Sequence, residues 1–273
     1  MKESSNPLVT VVVPCYNSAK YIIETVDSIK AQTYKNIEIV LVDDKSTDNT
    51  LDIIKNIQNI IVIENTYNKG VNQSLNDALS YCNGKYLIIF GHDDVMMESR
   101  IEKQVYFMET NECLASFGNS YFIYGDLKSN VKISKNIYKS FIFNRCKNSF
   151  LLFALGLSYN SNSAIFKKDI VVEVGGYEIW FPNYDESYLF YKVALQGQIY
   201  YQDEVLSFYR KHNDSLTTKL VTRIDKLETF NKYNQYFLNN YQFKKLFFYK
   251  KLFTSSYYIK KTYLMLKKIF KVW

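Results

Sequence analysis

The chain has 273 residues, of which 47% are hydrophobic, with 25 Tyr, 19 Phe and only 3 Pro. That supports one large domain, or a domain with an appendage, and excludes a disordered chain. The net charge is +7, yet ten of the 34 basic residues and none of the 27 acidic ones lie between Thr229 and Trp273. A mildly acidic body therefore carries a basic tail, and a basic tail implies an anionic partner such as nucleic acid or lipid headgroups. Cys15, Cys82, Cys113 and Cys146 are far apart and form no CxxC pair, which argues against a zinc site and fits reduced thiols. No apolar run approaches the ~20 residues that cross a bilayer. The apolar run in MKESSNPLVTVVVP is too short for a secretory leader.

In chain order, LVTVVVP (8–14) is apolar and β-branched, as expected of a strand buried on both faces. SAKYIIETVDSIKAQ (18–32) places Ile22, Val26 and Ile29 at helical spacing, with Ser18 as the expected N-cap. IEIVLVDD (37–44) is a second strand, and STDNTLDIIKNI (46–57) a helix with Ser46 or Thr47 as cap. NIIVIEN (59–65), GVNQSLNDALSYC (70–82) and KYLIIF (85–90) continue as strand, helix, strand. Four strands with three alternating helices in about 90 residues predict a doubly wound, mostly parallel, Rossmann-like α/β sheet. Ligands bind such sheets beyond the carboxyl ends of the strands.

Those ends carry the chemistry. The first strand ends in Pro14, Cys15, Tyr16 and Asn17, the second in Asp43 and Asp44, the fourth in Gly91, His92, Asp93 and Asp94. A single Asp after a strand commonly caps the next helix. Two Asp pairs at one rim point further, because clustered carboxylates repel and a divalent cation relieves them. Oxygen ligands select Mg²⁺ or Mn²⁺. Neither the dinucleotide fingerprint GxGxxG nor the phosphate loop GxxxxGK[ST] is present. A metal bridging the two phosphates of a nucleoside diphosphate fits instead, which is the chemistry of sugar transfer from a nucleotide-sugar.

The stretch VTVVVPCYNSAKYIIETVDSIKAQTYKNIEIVLVDDKSTDNT resembles the opening of glycosyltransferase family 2 enzymes with the GT-A fold. NKGVNQSLNDAL, GKYLIIFGHDD, SAIFKKDIVVEVGGY, YDESYLFYKVALQG and FYRKHNDS follow in family order. The resemblance spans about residues 8–215. It implies that Tyr16 stacks on the nucleotide base with Pro14 beside it. Asp44, and with it Asp43, would hydrogen-bond the base, usually uracil. Gly70 would let the backbone pass close to the nucleotide. GHDD stands where the family has its D-x-D motif, so Asp93 would touch the ribose and Asp94 the metal. His212, in a segment matching one near the diphosphate, would ligate the metal or bond a phosphate oxygen, and Arg210 would neutralise the leaving diphosphate.

The chain also departs from the family pattern. Gly91 replaces the first acid of D-x-D, Lys45 replaces the common Gly of the second motif, and Leu75 lies where many members have Arg. An inverting transfer needs a general base on the acceptor hydroxyl. The resemblance places that base at Glu186, six residues before Lys192, or at Asp185 if the alignment slides by one. Both acids would equally suit the positive N-terminus of a plain helix.

In YYIKKTYLMLKKIFKVW (257–273), Lys260, Lys261, Lys267, Lys268 and Lys271 fall within about 120° of a helical wheel, with an apolar face opposite. This pattern fits a helix lying on an anionic leaflet, or packing on the body or on a second subunit to form an oligomer. No nucleic-acid-binding motif accompanies it.

The expected organisation is a GT-A domain over 1–222 and a tail over 223–273. The expected function is inverting transfer from a UDP-sugar to a lipid-linked or growing glycan, in bacterial surface polysaccharide assembly at the cytoplasmic face of the inner membrane. The alternative is a non-catalytic, membrane-associated sugar- or nucleotide-binding module on the same fold.

Overall fold

The computed structural model describes residues 6–124, 131–134, 160–179 and 187–212. Cys146, Asp185, Glu186 and the basic tail lie outside these residues, so the expectations placed on them have no structural counterpart.

The predicted N-terminal elements are present with trimmed ends. They are β1 (Val9–Cys15), α1 (Ile22–Lys30), β2 (Ile37–Asp43), α2 (Thr50–Lys55), β3 (Ile61–Glu64), α3 (Val71–Ala78) and β4 (Tyr86–Ile89). A 3₁₀ turn, Leu79–Tyr81, extends α3. Strands β1, β2, β3 and β4 pair in parallel, in the spatial order β3-β2-β1-β4. Period-two alternation builds both faces. Val12, Val40, Val42, Leu87 and Ile89 face a core that includes Leu75 and Ala78 of α3. Val9, Val11, Val13, Ile39, Leu41 and Ile88 face one that includes Ile22, Val26 and Ile29 of α1. Each fully buried aliphatic side chain contributes about 1.5–3 kcal/mol, which is why these strands read as continuous apolar runs.

The second half of the sheet is mixed. It comprises β5 (Val95–Met96), α4 (Arg100–Asn111), β6 (Ala115–Tyr124), β7 (Val131–Ser134), β8 (Ile165–Lys167), α5 (Lys168–Glu173), α6 (Ser187–Gln196) and β9 (Ile199–Lys211). Strand β8 runs antiparallel to both β4 and β6, β6 runs parallel to β9, and β9 closes antiparallel on the two residues of β5. That closure returns the chain from residue 208 to the rim just after β4.

Two expected helix caps are corrected. The N-cap of α1 is Tyr21, because the Ser18 hydroxyl accepts the Tyr16 N–H instead. The N-cap of α2 is Asn49. The Ser46 hydroxyl is given to Asp43, and Asp48 accepts the N–H and hydroxyl of Thr50. Both serines are spent on tying loops together.

Candidate active site

The loops after β1 and β2 are laced into one rim. The Asn17 N–H donates to the Ser46 hydroxyl at 3.0 Å, and Asn17 Oδ1 accepts the Thr47 N–H at 2.8 Å. The Ser18 N–H donates to Thr50 Oγ1 at 2.7 Å. Asp43 is fully buried and accepts both the N–H and the hydroxyl of Ser46. Asn17 and Lys45 hold left-handed backbone, at φ 52° and 62°. Asn adopts that region readily, and Lys45 shows why the family favours Gly at its position. The result is a rigid base for Tyr16, whose ring is 46% exposed directly beyond β1.

Asp44 ties β2 to the next crossover. One carboxylate oxygen accepts the Asn65 amide at 2.9 Å and the Lys69 N–H at 2.8 Å, and the other accepts the Gly70 N–H at 2.9 Å. Gly70 has φ 82°, and a Cβ built there would meet nothing within 4 Å. The glycine is therefore needed for its backbone angle and leaves open space in front of it. Leu75 is buried in the core.

At the end of β4 the two adjacent acids part company. Asp94 is 2% exposed and accepts the Arg210 N–H at 2.8 Å. Burial first, then the Asp93 charge, raise its carboxyl well above the ordinary range, against the Arg210 N–H, the Asn162 amide and the Arg100 charge. Asp93 points the other way. Its Oδ2 lies 2.8 Å from His212 Nε2, and both side chains are 15% exposed. Burial pushes the Asp93 carboxyl up, but the His212 hydrogen bond and the charges of His92 and His212 outweigh it, so the net shift is downward. His92 turns back, with Nδ1 3.3 Å from the Pro14 carbonyl, which joins the ends of β1 and β4.

Two of the expected site residues are turned inward in this structure. The Asp94 carboxylate is turned inward and locks the β4 loop to β9, and the acid beside His212 is Asp93. Arg210 is likewise turned inward. Its side chain is 0% exposed, donates Nη2 to Glu24 at 2.6 Å and Nε to the Asp93 carbonyl at 2.8 Å, and lies over the Tyr21 ring. The sequence reading missed Tyr21, Glu24 and Asn162. The only local signal was an acid in the first turn of α1, which looks like an ordinary helix start.

Gly91 also acquires a reason. A Cβ there would sit 3.0 Å from carboxylate oxygens of both Asp93 and Asp94, so an acid at this position would crowd the pair. Below the rim, the Gly175–Gly176 turn is held by α3 and α6. The Asn76 amide donates to the Tyr177 carbonyl at 2.7 Å, the Asn72 amide to the Glu178 carbonyl at 2.9 Å, and the buried Lys192 ammonium to Gly176 and Glu178. Burial lowers the Lys192 pKa, partly offset by Glu178.

A parallel βα half-sheet with its open carboxyl rim, closed by a mixed half carrying a histidine back to that rim, is the GT-A arrangement of nucleotide-sugar transferases. Residues 10–171 match Glycosyl transferase family 2, and the chain belongs to that family.

Among its relatives is the UDP-Glc:α-D-GlcNAc-diphosphoundecaprenol β-1,3-glucosyltransferase WfaP of Escherichia coli. It is 42% identical over 116 residues, covering 42% of this chain and 46% of that protein, so the match spans about half of the relative's length. An uncharacterized glycosyltransferase of Haemophilus influenzae is 32% identical over 232 residues, covering 78% of this chain and 68% of that one. The fold is shared with Staphylococcus aureus TarS 1–349 in complex with UDP-GlcNAc, with a TM-score of 0.69 at 21% identity over 91% of this chain and 71% of that one. It is shared equally with the mannosyltransferase PcManGT of Pyrobaculum calidifontis in complex with GDP-Man and Mn²⁺, with a TM-score of 0.68 at 21% identity over 93% and 70%. Among the described residues no helix is long and apolar enough to cross a membrane, and no group of three or more His, Cys, Asp or Glu gathers as a metal cluster.

Proposed function

We propose that the protein is an inverting, metal-dependent glycosyltransferase that takes its sugar from a UDP-sugar and passes it to a lipid-linked or growing glycan at a membrane surface. The observation that carries this reading is the Asp93–His212 pair, largely buried but reaching the rim, one strand end away from the exposed Tyr16. The donor and acceptor classes draw support from the name of the E. coli relative, which pairs UDP-Glc with a diphosphoundecaprenol-linked sugar.

The residues suit a divalent ion. One carboxylate oxygen and one imidazole nitrogen already stand 2.8 Å apart, at a separation set by a hydrogen bond that an ion entering between them would replace. A carboxylate accepts Mg²⁺ or Mn²⁺, and an imidazole shifts the choice toward the transition ion. When bound, such an ion supplies positive charge against the leaving diphosphate. Two protein ligands leave the remaining positions to the diphosphate oxygens, so metal and donor would bind together. Tyr16 offers a face for the base, and the open space before Gly70 lets the nucleotide approach the backbone. Asp43 and Asp44 hold the loops that shape this slot; three of the lone pairs of Asp44 are occupied, leaving one for a base N–H.

Glu186 or Asp185, immediately before α6, would take the proton of the acceptor hydroxyl as its oxygen attacks the anomeric carbon from the face opposite the diphosphate. The tail, residues 257–273, would hold the protein on an anionic cytoplasmic leaflet.

The test is thermal shift with UDP, GDP, CDP and dTDP, each with and without Mn²⁺, coupled to hydrolysis of a UDP-sugar panel. Stabilisation by UDP that requires Mn²⁺, together with turnover, is the expected result. Stabilisation without any turnover would assign the chain to a binding module, and indifference to every nucleotide would remove the donor site from this rim.

A further inference from the structure

The segment carrying Asp93 is gripped from behind by the first turn of α1. Thr25 Oγ1 lies 2.8 Å from the His92 carbonyl and 2.9 Å from the Asp94 carbonyl, so its one hydroxyl proton is shared between the two. The carbonyl between them, on Asp93, accepts Arg210 Nε at 2.8 Å. Three successive carbonyls are thus drawn toward α1 and β9, which leaves the Asp93 side chain facing the rim. Glu24, one residue before Thr25, holds the Arg210 guanidinium at 2.6 Å. The Tyr21 ring contacts both that guanidinium, 4.6 Å from its centroid, and the His212 ring, at 5.2 Å between centroids. Both proposed ligands are therefore positioned by one short stretch of one helix, although they lie 119 residues apart in the chain.

We propose that Thr25 and Glu24 are positioning residues of the metal site: through the backbone of residues 92–94 and through Arg210 they fix Asp93 and His212 at the separation a divalent ion requires. This rests on the Asp93–His212 reading above. A simple packing role would be indifferent to the polar atoms, because Thr25 is fully buried and Val is nearly isosteric with it. What Val removes is the only hydroxyl on this helix that bonds the His92 and Asp94 carbonyls.

The experiment measures Mn²⁺ binding by the loss of the free-ion electron paramagnetic resonance signal, at saturating UDP, in the full chain. Wild type is compared with Thr25→Val, Thr25→Ser, Glu24→Gln and Asp93→Asn. Removal of such outer partners weakens metal affinity on the order of tenfold, so Thr25→Val and Glu24→Gln should each bind Mn²⁺ about tenfold more weakly. Thr25→Ser, which keeps the hydroxyl, should return to the wild-type value. In turnover assays the weakened variants should need more Mn²⁺ for half-maximal rate, with kcat at saturating Mn²⁺ close to wild type. Wild-type Mn²⁺ affinity in both Thr25→Val and Glu24→Gln, with Asp93→Asn defective, would overturn the positioning role and leave the ligand pair standing. Undiminished binding in Asp93→Asn would overturn both. Should Thr25→Val fail to fold, Glu24→Gln decides, since the side chain of Glu24 is 39% exposed and packs no core.

Discussion

Asp93 and Asp94 are neighbours in sequence, yet the structure turns their carboxylates to different partners, and exchanging them for neutral residues should separate the proposed metal role from the structural one. Asp94→Ala removes the acceptor of the buried Arg210 N–H. A buried donor left without a partner costs about 1–3 kcal/mol. At about 2 kcal/mol, and about 2–4 °C per kcal/mol for a domain of this size, the melting temperature of the protein without ligand should fall by about 4–8 °C. Asp93→Asn keeps an oxygen that can still bond the His212 ring, and the pair keeps some contact with solvent. Its melting temperature without ligand should therefore change by less than about 2 °C, while the Mn²⁺-dependent part of UDP stabilisation disappears. Differential scanning calorimetry with and without Mn²⁺ and UDP reads both quantities. An Asp94→Ala protein that melts like wild type but ignores Mn²⁺, beside an Asp93→Asn protein that still responds to it, would refute the reasoning and return the metal to Asp94.

Three further outcomes are expected. Lys45→Gly should stabilise the protein by about 1 kcal/mol in urea unfolding, because a left-handed conformation costs a side-chain-bearing residue about 1–2 kcal/mol and Gly offsets part of that through its looser unfolded chain. Glu38 accepts hydrogen bonds from Thr10 and from the N–H and amide of Asn83. Burial opposes them, but the bonds prevail and hold its carboxyl below 4.5. The stability it contributes is fully present above that unfolded-chain value and is lost as pH falls through the lower folded value, so Glu38→Gln should flatten the acid limb of a stability–pH curve, and an unchanged limb would remove Glu38 from it. Deletion of residues 257–273 should abolish sedimentation with vesicles rich in anionic lipid and leave UDP binding intact; vesicle binding that survives the deletion would place the membrane contact elsewhere.

The four parallel strands could be read from the sequence because each is a β-branched run buried on both faces, and such runs have few other uses. The rim was legible as a location for the same reason: topology alone sends the ends of β1, β2 and β4 to one edge. The division of labour at that edge was not. Whether Asp93 or Asp94 faces outward depends on where the Arg210 N–H arrives, from 116 residues further on, and no local periodicity encodes that. The cap assignments at Ser18 and Ser46 failed on the same ground, since each hydroxyl had a nearer use in bonding a neighbouring loop. The family resemblance set Arg210 beside the leaving diphosphate, and no local pattern announced that Glu24 of α1 pairs with it.

The two-residue pairing of β5 with β9 has a consequence for the order in which the protein comes together. The β1–β4 half is built from crossovers of a few dozen residues and can close early, even on a nascent chain. Val95 pairs with Phe208, far along the chain. Contacts of such span form late and open first. A chain halted before residue 207 would keep the parallel half-sheet but lack the strand that closes on β5, so the edge just after β4 would stay unpaired.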